Sequence, residues 1–150
     1  MIFKRKDVID HLKSVLRILN IAKTKIQIAH DLTTNPKVKD RVFREATLAS
    51  AMAGLPILPE FMAGAYISST ISDIKKARKA VMKLNKELSK KYKGIHEVYF
   101  DKNLKSVIEL LYQIEEKLKS KEANVIEILR SIEEAYTILS SILLQLENIV

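Results

Sequence analysis

Apolar residues recur along most of this chain at alternating steps of four and three. Val8, Leu12, Val15, Leu19, Ala22, Ile26 and Ala29 form one such stripe, and Ile9, Leu16 and Ile28 widen it. That spacing keeps one helix face apolar over three heptads and predicts a first helix from about Asp7 to Leu32. Thr33-Thr34-Asn35-Pro36 ends it, with Thr34 or Asn35 suited to cap the next helix and Pro36 to open it. The second predicted helix carries Val38, Val42, Ala46, Ala49 and Ala53 on one face. Pro56 and Pro59 must break or kink it, because proline lacks the backbone donor and clashes with the preceding turn. A third helix is predicted from Pro59 or Glu60 to about Tyr92, on the stripe Ile67, Ile71, Ile74, Ala77, Val81, Leu84 and Leu88. Gly94 suits the position just past its end. Ile95 to Phe100 reads as a short extended connector, although one strand alone has nothing to pair with.

Leu104, Val107, Leu111, Ile114 and Leu118 mark a fourth helix, with Asp101 or Asn103 as its cap. Ser120 to Asn124 reads as a turn. Asn124, with Glu127 three residues on, resembles a capping box opening a fifth helix on Val125, Leu129, Ile132, Tyr136, Leu139, Leu143 and Leu146. One unbroken helix over 102–148 fits the same pattern. Short connections between long helices predict a single all-α domain over residues 1–150, an antiparallel up-down bundle of four to five helices. Within it lie a central small-residue-rich hairpin, 46–72, kinked at Pro56 and Pro59, and an acidic C-terminal helical hairpin, 101–150.

Composition narrows the chemistry. Among 150 residues there are three glycines, three prolines and no cysteine. So few turn residues argue against a sandwich or barrel, and the missing thiols exclude disulfides, thiolate metal sites and cysteine nucleophiles. The abundance of lysine and isoleucine, 20 and 19 residues, suits a thermophile or an AT-rich genome equally. The start lacks the uninterrupted apolar core of a signal peptide, so the expected location is the cytoplasm or the cytoplasmic face of a membrane.

The net charge of +8 is unevenly spread. Residues 1–46 carry +6, residues 47–72 carry only Glu60, residues 73–100 carry +6 and residues 101–150 carry −3. The nearly uncharged stretch 46–72 is unusual: twelve of its 27 residues are Ala, Gly or Ser. It lacks the polar face an exposed helix needs and must be covered. Small residues permit close helix approach in water or in lipid. Met52, Gly54, Pro56, Pro59, Phe61, Met62 and Gly64 are therefore candidate interface residues: core, oligomer contact, or a re-entrant membrane hairpin. Lys37, Lys39, Arg41 and Arg44 on one flank and Lys75, Lys76, Arg78 and Lys79 on the other would hold both ends of such a hairpin on one side. Glu60 at the tip opposes insertion.

Lys75, Lys79, Lys83, Lys86, Lys90 and Lys93 follow steps of 4, 4, 3, 4 and 3. At helical pitch they share a sector of about 80°, opposite the apolar stripe. Neighbouring like charges cost about 0.2–0.5 kcal/mol each at low salt, so an anion would stabilise the row. Lipid headgroups, nucleic-acid phosphates and the acidic final helices (Glu115, Glu116, Glu122, Glu127, Glu133, Glu134) are the three candidate partners. No helix-turn-helix register or zinc finger is present, which argues against base-specific reading. Asp7 and His11 stand one turn apart, too few for a metal ligand set, and no Glu-x-x-His occurs. No phosphate-binding glycine motif is present, and no cofactor, metal or small-molecule substrate is expected. Arg5 and His11, with five residues between them, resemble the R-x(4–6)-H pattern of HEPN ribonucleases, themselves small helical bundles. That resemblance implies RNA cleavage. The expectation from the residues themselves is a non-enzymatic binding protein that self-associates and meets an anionic surface.

Overall fold

The computed structural model describes residues 5–35, 37, 40, 41, 59–120 and 124–148, and these are helical nearly throughout, with no strand among them. Four long helices carry the fold: α1 (Arg5–Thr34), α2 (Pro59–Lys91), α3 (Asp101–Lys119) and α4 (Val125–Asn148). Most of the second predicted helix, and the kink at Pro56, lie outside the described residues; 37, 40 and 41 are helical.

The predicted stripes of α1 and α3 are buried throughout and that of α2 from Ile74 onward, with Ile67 and Ile71 half-buried; the stripe of the second predicted helix lies outside the described residues. All seven α1 stripe residues are buried, as are Ile74, Ala77, Val81, Leu84 and Leu88 of α2 and the five of α3. Together with α4 they close one core. In that arrangement α1 packs against α2 and α4, and α3 packs against α2 and α4. On α4 the fully buried residues are Ile128, Ile132, Ala135, Leu139, Ile142 and Leu146, one stripe of alternating four and three steps. It shares Ile132, Leu139 and Leu146 with the predicted stripe, whose other members, Val125, Leu129, Tyr136 and Leu143, lie half-buried at its edge. A smaller satellite cluster of Ala29, Leu32 and Ala63 ties the end of α1 to the start of α2.

The connector between α2 and α3 corrects the sequence reading. Ile95 to Phe100 is helical, not extended: a single α-turn (Lys93–Ile95) runs into a π-helical turn (His96–Phe100). A lone strand would leave its backbone groups unpaired, whereas the π-turn satisfies them locally and turns His96 and Phe100 inward, both buried. Gly94 lies within the α-turn, without a left-handed backbone, so it does not terminate α2. The break falls at Tyr92, whose φ and ψ are −126° and 48°. Neither Asp101 nor Asn103 caps α3. The helix grows directly out of the π-turn, so its first amides already have partners, and Asp101 instead pairs with Lys105 at 3.0 Å.

The chain does break between α3 and α4. Ser120 is extended, with its amide donating to the Glu116 and Lys117 carbonyls, and the Asn124 side chain accepts the Glu127 amide at 3.2 Å. The expected cap at Asn124 is thus formed in its first half. Glu127 does not close the box, because its carboxylate takes Lys117 of α3 at 2.7 Å. At the end of α1, Asn35 accepts the Lys37 amide at 3.0 Å, the capping contact expected there.

Candidate anion-binding face

α2 is 33 residues long and presents three different environments around its circumference. Its inward face is the core stripe. Its flanks meet α1 and α3. Its outward face begins with Gly64, Ala65, Ser68 and Ser72 and continues as Lys75, Lys79, Lys83, Lys86, Lys90 and Lys93, the last just beyond the helix; all ten are exposed. The lysine row spans about 27 Å at helical rise.

Charge pairing separates this row from the lysines that face neighbouring helices. Lys23 pairs with Glu133 at 2.6 Å, Lys25 with Asp73 at 2.7 Å and also with Ser69, Lys117 with Glu127, and Lys119 with Glu115 at 3.3 Å. None of the six row lysines has a carboxylate partner among the described residues. Glu87, the nearest acid, is half-buried and lines a small hollow towards α1 with His11, Ala80, Lys83 and Leu84.

Among the described residues, no carboxylate of the acidic helices pairs with this row. Glu133 and Glu127 are engaged by α1 and α3 lysines, and Glu115 is buried, its carboxylate 3.2 Å from Arg78 of α2. Packing requires this: α4 sits against α1 and α3, away from the outward side of α2. The Glu127 carboxyl is held below its usual range by the hydrogen bond and the charge of Lys117.

The seam between α2 and α3 carries polar groups that periodicity did not single out. Arg78 reaches Glu115 and lies 5.7 Å from the Tyr112 ring centroid. Arg78 Nε and Glu115 Oε2 are buried and lack a hydrogen-bond partner among the described residues, so the pair is held by charge more than by hydrogen bonding. Nearby, the buried His96 ring meets Asn85 Oδ1 at 2.5 Å, with Asp101 at 3.7 Å. The available signal was positional: Glu115 follows Leu111 by four residues and Arg78 follows Ile74 by four, steps that carry a side chain towards the core.

Of the interface candidates, Met52, Gly54 and Pro56 lie outside the described residues, as do the side chains of Pro59, Phe61 and Met62. Gly64 is exposed, with open space where a Cβ would stand. The described part of the small-residue stretch is two-faced. Ala63 and Thr70 are buried, and Tyr66, Ile67 and Ile71 are half-buried. Among the described residues no helix is long and apolar enough to cross a membrane, and no group of three metal-ligating side chains converges. His11 is exposed beside a hollow of about 70 Å³, and the Arg5 side chain lies outside the described residues. No family model matches the chain, and no curated protein or solved structure shows significant similarity to it.

Proposed function

We propose that this protein is a non-enzymatic helical bundle that self-associates and engages an anionic surface through the outward face of α2. One observation carries the reading. Five lysines in a row along α2 and Lys93 just beyond it are exposed without carboxylate partners among the described residues, while Lys23, Lys25, Arg78 and Lys117 on the seams between helices are paired. A multivalent anion relieves the repulsion within such a row and gains from every lysine at once. An up-down arrangement is supported by the contacts. Lys25 faces Asp73 while His11 lines a hollow with Leu84, and Lys117 faces Glu127, so numbering rises on one helix as it falls on its neighbour. Self-association is supported by the exposed Gly64, Ala65, Ser68 and Ser72, which lie in line with the lysines and allow a second helix to approach closely.

Flotation with neutral and anionic vesicles, at low and high salt, tests the reading beside a mobility shift with generic nucleic acid. Binding to anionic vesicles that weakens when Lys79, Lys83 and Lys86 become glutamine is the expected result. A salt-sensitive shift with nucleic acid and no flotation would move the partner to phosphodiester chains. Binding that ignores the three substitutions would remove α2 from the mechanism.

A further inference from the structure

The lysine row ends beside an apolar feature of a different kind. Val98 and Tyr99, adjacent on the π-helical turn, are 74% and 57% exposed. The other large exposed hydrophobics among the described residues (Ile21, Met82, Tyr112, Ile126 and Leu144) are each separate in sequence, and exposed apolar residues are ordinary on a protein surface. The turn explains the exposure. His96 and Phe100 take the inward positions, so the residues between them, including the two apolar ones, project from the end of the bundle. Around them Lys90 and Lys93 precede the turn and Lys102 follows it. All three are exposed and without a carboxylate partner among the described residues; Lys105, one turn further on, is taken by Asp101, and Glu97 is the local acid.

We propose that Val98 and Tyr99 enter the headgroup–acyl boundary of an anionic lipid surface while Lys90, Lys93 and Lys102 meet its phosphates. This rests on the anionic-surface reading of α2 and names the surface. An exposed apolar pair with exposed lysines before and after it in the chain matches a layer that is anionic outside and apolar a few ångströms beneath. Tyrosine suits that depth, its ring in the apolar zone and its hydroxyl among headgroups. A phosphodiester chain would leave Val98 without a partner.

The protein has no tryptophan, so Tyr99→Trp is a single reporter at the tip. With phosphatidylcholine vesicles containing phosphatidylserine, its emission should shift to the blue and be quenched by brominated acyl chains. Val98→Ser with Tyr99→Ser should bind the same vesicles about tenfold more weakly, with the deficit persisting at high salt. Both sites are exposed, so circular dichroism should be unchanged. Flotation with no spectral change at position 99 would overturn the tip proposal and leave the lysine face standing. Absence of flotation, with or without a mobility shift on an oligonucleotide, would overturn the lipid assignment.

Discussion

Arg78 and Lys79 are neighbours in sequence and opposite in circumstance. Arg78 is turned into the seam with α3, where Glu115, itself buried, lies 3.2 Å away and the Tyr112 ring lies alongside. Lys79 stands on the outward face with five other lysines, exposed and without a carboxylate among the described residues. A rotation of 100° separates a charge the fold must neutralise from one it can leave to solvent. Taking an ion out of water is costly, so a buried charge persists only with its partner. A charge in water needs none, and six in a row persist because screening holds their repulsion to tenths of a kilocalorie.

The sharpest way to break this contrast is to remove Glu115. Glu115→Ala strands Arg78 in the seam and should lower stability by about 3 kcal/mol in urea unfolding. Arg78→Met combined with Glu115→Leu should recover most of that loss, because an apolar pair of similar volume carries no desolvation cost. A Glu115→Ala loss below about 1 kcal/mol would show that the seam tolerates the lone cation and that the two regions do not differ. A smaller effect is expected on the outward face. Changing Lys79, Lys83 and Lys86 together to glutamine should leave stability within about 0.5 kcal/mol of the parent, with any gain appearing at low salt and fading at high salt. A large loss there would mean that the row has partners within the fold.

The smallest effect is expected at Glu127, whose contact with Lys117 lies at the surface. Its carboxyl is depressed in the folded state, so this contact favours folding above the ordinary glutamate range and is lost as pH falls through the folded value. Carbon-detected titration should place Glu127 below an unperturbed glutamate, and Lys117→Ala should return it to the ordinary value. If Lys117→Ala leaves the titration unchanged, another group sets it.

How far the fold could be read in advance varied by element. The bounds of α1 and α2 and the buried faces of α1, α2 and α3 followed from apolar spacing alone. On α4 spacing located the helix but not the phase of its buried stripe, because apolar residues at 125, 129, 136 and 143 compete with those at 128, 135 and 142, and only packing chose between them. Over 95–100 local preference points to an extended connector, because Val98, Tyr99 and Phe100 have strand-forming side chains, whereas the fold, with no second strand among the described residues, makes it helical. The lysine row was visible as a pattern; that it lacks carboxylate partners among the described residues, while Glu115, Glu127 and Glu133 are engaged elsewhere, was not.

Sequence by itself determined that this chain is helical, where its core residues lie and which helix face gathers the lysines. These depend on periodicity, which is a property of neighbours three and four residues apart. Only the tertiary structure decided that Glu115 belongs to Arg78, that His96 is buried against Asn85, and that Val98 and Tyr99 project from the bundle's end. Those facts depend on which helix packs beside which. Residues 37 and 11 positions apart meet only once the chain has folded back on itself.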